Sequence, residues 1–253
     1  MGPRPMLLGL AGATLVLGSA CGAVRTGGGG APELAALTLA LVQPGEALDP
    51  GDALAEREVF DAHRRFLERE AEAGRLLVTG PFAPAEGAPR GLLLFDMEDP
   101  GDVSEILAED PAVAAGLLRP EVFPLITLAQ VRELPAMEQR RVSESGGVGG
   151  DSRRFVVLMA PDGEAAVEWI QHPAIAQEVL LLAQLGEPTP GGLLVVLGFE
   201  SVRELIARRR IAGASGPGGT EDWQVWEWFS TPALGAFAFD GAAPQPPSSS
   251  ASK

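Results

Sequence analysis

Side chains that can move a proton near neutral pH, or act as a soft nucleophile, are few in this chain. There are two histidines, His63 and His172, and one cysteine, Cys21. His63 lies three residues after Phe60 and four before Leu67, which places all three on one apolar stripe of a helical segment. A histidine so placed is partly desolvated, and desolvation favours the uncharged ring, with one nitrogen accepting a proton and the other donating. The competing reading is a core histidine satisfied by a backbone carbonyl. His172 precedes Pro173, and Gln171-His172-Pro173 reads as a helix restart with proline in its first turn, a structural role. Trp223, Trp226, Trp228 and Phe229 fall on a β-prone segment. There Trp226 and Trp228 share one face, and Val225 and Phe229 the other. Packing between two sheets is expected of them, with a ligand pocket as the alternative. Arg208, Arg209 and Arg210 either meet an anion or stand as solvated cations at a helix C-terminus. The charges between Glu56 and Glu72 form the solvent face of an amphipathic helix.

Other chemistry is excluded by what is missing. One cysteine makes no internal disulfide, and two histidines fill no His-rich metal site. The sequence holds no P-loop, no Gly-x-Gly-x-x-Gly after a strand and no Gly-x-Ser-x-Gly elbow. No cofactor and no metal are therefore expected. A net charge of −15 on 253 residues argues against a nucleic-acid partner, because a polyanion would be repelled.

Residues 1–20 have the form of an export signal, with Arg4 ahead of an apolar run from Met6 to Leu17 that is too short to span a bilayer comfortably. Gly18-Ser19-Ala20-Cys21 resembles a bacterial lipobox, with Gly18 where such motifs usually carry Leu or Val. In that reading Cys21 is acylated and anchors the protein to a lipid bilayer of the cell envelope. The alternative is an ordinary cleaved signal and a periplasmic or secreted protein. Residues 21–33, with Gly27 to Gly30 in a row, form a flexible tether.

The elements that must position His63 follow in order. Leu34 to Val42 reads as a strand, Ala53 to Ala73 as a helix closed by Gly74, and Arg75 to Thr79 as a short strand. Gly91 to Met97 is a strand. A second helix follows with Asp102 as its expected N-cap, then a last strand near Arg119 to Leu128. This is the β-α-β-β-α-β order of a ferredoxin-like domain. Residues 129–153 read as a helix and a Gly/Ser linker, after which the pattern restarts over 154–234. Phe155 to Met159 is a strand, Glu164 to Leu185 a helix interrupted at Pro173, Leu193 to Phe199 a strand, Ser201 to Arg210 a helix and Trp223 to Ser230 a strand. No counterpart of the short second strand is evident between Glu187 and Gly192, so the second half reads as an eroded copy. Residues 235–253 read as a disordered tail.

Three separated stretches carry a family resemblance: Asp61-Ala62-His63-Arg64-Arg65-Phe66-Leu67, Ala73-Gly74-Arg75-Leu76-Leu77 leading to Gly80-Pro81, and Ala108-Glu109-Asp110-Pro111-Ala112-Val113-Ala114-Ala115-Gly116-Leu117. Over residues 34–128 the chain resembles the YCII-related domain family. The resemblance implies ferredoxin-like domains that pair their sheets face to face, as dimeric α+β barrels do. It also implies a histidine and an aspartate at a pocket, which here are His63 and Asp110. A carboxylate bonded to one ring nitrogen would fix the tautomer and leave the other nitrogen to exchange protons. Asp110 before Pro111 also reads as a helix stop or the cap of the next turn. The matching region of the second half, Arg208 to Gly213, lacks the Asp-Pro step.

The expected molecule is thus an α+β protein, with two tandem ferredoxin-like (β-α-β-β-α-β) domains packed as a pseudo-dimeric α+β barrel and a degenerate second copy. Further association into a homo-oligomer stays open. Two functions stand side by side. One is a small-molecule enzyme using His63 and Asp110 as an acid-base pair. The other is a non-enzymatic envelope protein whose barrel-like cavity binds a small ligand or only stabilises the fold.

Overall fold

A computed structural model describes residues 33–46, 53–146, 152–211 and 223–236. The signal segment, Cys21 and most of the tether, the Gly-rich turn Gly213 to Gly219, much of the linker and nearly all of the tail lie outside the described residues.

Eight strands form one antiparallel sheet: β1 (Leu34–Pro44), β2 (Leu76–Pro81), β3 (Gly91–Phe95), β4 (Leu118–Leu128), β5 (Arg153–Ala160), β6 (Val179–Leu185), β7 (Leu193–Leu197) and β8 (Gln224–Ser230). Their order across the sheet is β2-β3-β1-β4-β6-β7-β5-β8, so both sets of four follow the same second-third-first-fourth order. The helices among the described residues are α1 (Ala53–Glu72), α2 (Pro100–Ala108), α3 (Pro111–Ala114), α4 (Leu134–Glu144), α5 (Gly163–Ile170), α6 (Pro173–Ala176) and α7 (Val202–Ile211).

The two outer strands meet and close the sheet into a barrel. Phe82 bridges to Trp228, Ala83 N–H donates to the Glu227 carbonyl at 2.7 Å, and Ser230 Oγ donates to the Thr79 carbonyl at 3.0 Å. The opposite seam, β4 to β6, uses the same contacts at register-equivalent positions. Leu125 pairs with Leu185, Gly186 N–H donates to the Pro124 carbonyl at 2.8 Å, and Thr127 Oγ1 donates to the Leu182 carbonyl at 2.7 Å. Thr127 faces Ala35 across β1, and Ser230 faces Arg153 across β5, so one pseudo-dyad relates the two seams.

Because side chains alternate across a strand, each strand feeds two layers. Leu37, Leu39, Leu41, Leu92, Leu94, Phe155, Val157, Leu181, Leu194 and Trp228 fill the barrel interior. Ala40, Val42, Leu93 and Phe95 point outward beneath Phe66 of α1 and Val103 and Leu107 of α2. Val156, Leu158, Val195 and Leu197 do the same beneath Trp169 and Ile170 of α5. The alternation expected for β8 holds. Trp228 lies in the interior with Trp226 packed against it, whereas Trp223 stacks edge-on against Trp169 at 5.6 Å between ring centroids, in the outer layer.

Three expectations are corrected. The segment Glu164 to Leu185 is not one interrupted helix. It is α5, α6 and then β6, which is the second strand that had no counterpart. β6 is buried on both faces, so Val179-Leu-Leu-Leu-Ala-Gln-Leu185 shows a continuous apolar run instead of alternation, and such a run does not distinguish strand from helix. The N-cap of α2 is Asp99, whose Oδ1 accepts from Gly101 N–H at 2.7 Å, with Asp102 in the first turn. The barrel interior is occupied by side chains, and the cavity described below lies outside it.

The β8–β2 seam makes a specific demand at Gly80, where a Cβ would run into the Phe229 carbonyl and stand 2.8 Å from Trp228 Nε1. Trp228 Nε1 donates to the Gly80 carbonyl at 2.9 Å. At the other seam the equivalent residue is Ala183, opposite Leu194 as Gly80 is opposite Leu92. Gly80→Ala is expected to lower stability by about 1–3 kcal/mol through overpacking. Urea unfolding followed by tryptophan fluorescence checks this, and a loss near zero would mean that the seam can yield.

Candidate functional site

α1 buries a stripe that includes Val59, Phe66, Leu67 and Glu70, and His63 sits on it between Val59 and Leu67. Phe60, expected on the same stripe, is instead 36% exposed. It touches the imidazole edge-on, with ring centroids 6.3 Å apart. On the same sheet face, α2 stops at Ala108, and the chain turns at Asp110-Pro111 into the four-residue α3. Proline at the first position of α3 leaves no N–H to satisfy there, and the aspartate before it adopts an extended backbone, as an N-cap requires.

This geometry brings His63 and Asp110 together. His63 Nδ1 lies 2.7 Å from Asp110 Oδ2, with the side chains 17% and 1% exposed. An ionised carboxylate only accepts, so the shared proton sits on Nδ1, which leaves Nε2 as the acceptor in the uncharged form of the ring. Asp110 Oδ1 accepts the Ala112 N–H at 2.9 Å. The two roles read from the sequence as alternatives, cap and histidine partner, are therefore both filled, one by each oxygen. Among the described residues, His63 Nε2 has no hydrogen-bond partner.

His63 lines a cavity of about 540 Å³ between α1, the outer face of β1 and β3, the β2–β8 seam and α4. Its walls are mostly apolar: Val42, Phe60, Leu67, Leu93, Leu118 and Phe229. The polar and charged lining includes Thr79, Arg90, Glu138, Ser230 and Thr231. Glu138 is held in place. Arg141 donates to it through Nε at 2.9 Å and Nη2 at 2.6 Å, and Thr231 Oγ1 donates to Oε2. The hydrogen bonds from Arg141, with a further one from Thr231, keep its carboxyl below the usual carboxylate range despite partial burial. Glu138 thus stays ionised and closes the connecting helix α4 over the end of β8.

The second half builds no such space at the register-equivalent positions. Gly91, opposite Val42 and Pro81, corresponds to Leu193, opposite Ala160 and Gln184. Thr79 corresponds to Leu182 in the same registers. Leu193 and Leu182 are 0% and 2% exposed and belong to the outer apolar layer. His172 is not on the helix equivalent to α1. It caps α6, its Nδ1 accepting the Ala174 N–H at 3.2 Å, which is the structural role expected for it. Arg208 is exposed on α7.

Sequence reasoning did not single out Arg90, Glu138 or Thr231. Glu138 and Arg141 look like an ordinary surface pair three residues apart. The place of Glu138 at the cavity goes with a contact across 93 residues, between Thr231 and Glu138. Arg90 carried one signal, its position directly before the Gly91 strand.

The family model of the YCII-related domain matches residues 39–126. Solved structures that resemble most of the chain include two variants of chlorite dismutase from Candidatus Nitrospira defluvii. The first is 11% identical and has a TM-score of 0.50 over 82% of this chain and 97% of that one. The second is 12% identical and has a TM-score of 0.50 over 82% and 96%. At this identity the likeness is one of fold, the dimeric α+β barrel. None of the curated proteins matches the chain.

Asp110 separates cap from tautomer control experimentally. Asp110→Ala removes both bonds and is expected to cost about 2–4 kcal/mol, the sum expected for a lost cap and a buried charge-assisted hydrogen bond. Asp110→Asn keeps an oxygen for Ala112 N–H and costs less. Its amide donates to Nδ1, so the imidazole proton moves to Nε2. Imidazole 15N shifts read this reversal, and an unchanged tautomer in Asp110→Asn would show that the carboxylate does not set it.

Proposed function

We propose that this chain, whose residues 39–126 match the model of the YCII-related domain within an α+β barrel of the dimeric type, is a small-molecule enzyme in which His63 transfers a proton. The observation that supports this reading is the 2.7 Å bond between His63 and buried Asp110 at the wall of a 540 Å³ cavity. With Nδ1–H held by Asp110, Nε2 takes an acidic proton from a C–H or O–H group of the bound molecule. The adjacent carboxylate stabilises the imidazolium that forms. The same nitrogen returns the proton to another atom of the substrate or its product. The apolar walls exclude water and bind the body of a compact organic molecule, and the cavity falls within the range usual for ligand sites.

The lipobox-like Gly18-Ser19-Ala20-Cys21 supports a second part of the proposal, that the enzyme is exported and held at the cell envelope by acyl chains on Cys21. Incorporation of radiolabelled palmitate that disappears in Cys21→Ala is the expected result. Equal labelling of both proteins, or labelling of neither, overturns the anchor.

A thermal-shift screen of small organic molecules on the full chain tests the site. Hits are expected to stabilise the wild type, by about 2.7 kcal/mol at a hundredfold excess over Kd, and to lose that effect in His63→Ala. A screen in which no compound stabilises the wild type, or in which His63→Ala responds equally, removes the basis for the reading.

A further inference from the structure

The charged groups at the cavity are not equally engaged. His63 is bonded to Asp110, and Glu138 is held by Arg141 and Thr231. Arg90 is exposed at the rim and has no carboxylate partner among the described residues. Its backbone is nevertheless fixed. The Arg90 N–H donates to the Val42 carbonyl, and the Arg90 carbonyl accepts the Phe82 N–H at 3.0 Å, directly before β3 begins. A guanidinium on a fixed stem, beside apolar walls and without an internal anion, is favourable to cover only when the covering molecule brings a negative group. Its planar fork matches a carboxylate with two parallel N–H···O bonds. A cationic ligand would meet Arg90 directly and find Glu138 already satisfied.

We propose that Arg90 is the substrate anchor of this cavity and that the substrates are small carboxylates with an apolar body. The inference rests on the reading of the cavity as the enzyme's site and adds the substrate class to it. The carboxylate docks on Arg90 at the rim and the body lies against Phe60, Leu67 and Leu93. This fixes the orientation in which the remaining acidic C–H or O–H reaches Nε2 of His63. Arg90 is a positioning residue, and the proton passes only between substrate and His63.

Titration calorimetry on the full chain tests this with benzoate, its neutral analogue benzamide and the cation benzylammonium as probes, with the His63 imidazole NMR signals followed in parallel. Benzoate is expected to bind the wild type at least about tenfold more tightly than benzamide, and benzylammonium more weakly than both. Arg90→Gln should remove the preference for benzoate, and Arg90→Lys should restore part of it. If Arg90→Gln binds benzoate as the wild type does, or if benzamide equals benzoate, the anchor is overturned. Movement of the His63 signals in that case leaves the cavity reading standing. A wild type that binds none of the probes and shows no movement of the His63 signals overturns both.

Discussion

An open four-stranded sheet exposes two rows of backbone N–H and C=O groups, and in water such edges pair with whatever strand is available. Here each edge of one set of four meets an edge of the other. The hydroxyls of Thr127 and Ser230 pin the carbonyls of Leu182 and Thr79 at equivalent places. Everything else follows from this mutual capping. It encloses one apolar interior between the two sets and turns both outer faces toward helices. It also sets the C-terminal end of β8 against β2, so that Phe229, Ser230 and Thr231 complete a cavity whose histidine belongs to α1. The first four strands alone would leave that wall open.

In a symmetric dimer the two subunits are the same sequence, so whatever shapes one cavity shapes the other. Two sets of strands in one chain are free of that rule, and this protein uses the freedom at a few positions. Gly91 and Thr79 leave room beneath α1, while Leu193 and Leu182 fill the corresponding layer with hydrocarbon. A filled layer gains stability, about 1.5–3 kcal/mol for each large apolar side chain fully buried, whereas the open one keeps a cavity. The asymmetry thus sets a filled layer against an open one across a common backbone plan.

Much of this was legible in the sequence. Strands β1, β3 and β4 alternate or run apolar between clear turn residues, and Gly74 marks the end of α1. The pairing of His63 with Asp110, 47 residues apart, came from motif resemblance, since neither residue's local pattern names the other. What stayed hidden was non-local or two-sided. β6 lost its period because both its faces are buried. Gly80 looked like an ordinary turn glycine, although its need is to let Phe229 approach. Nothing local marks Arg90 or Glu138; the β8–β2 seam and α4 place them around one space. Asp99 took the cap expected of Asp102 because Pro100 serves as the first helical residue.

Asp110 divides its two oxygens between a histidine and a backbone amide, and the division bears on how such a protein ages in evolution. His63 stands in the middle of a long helix that other side chains hold to the sheet, so a lineage can exchange it for another half-buried residue without losing the helix. Position 110 has less latitude, because the turn between α2 and α3 needs a side-chain acceptor for the Ala112 N–H, which Asp or Asn supplies. Selection for folding alone would keep a capping residue at 110 after the histidine has drifted. In descendants of this chain, a cap-Pro step therefore marks the turn, and only a histidine paired with an aspartate there marks the dyad.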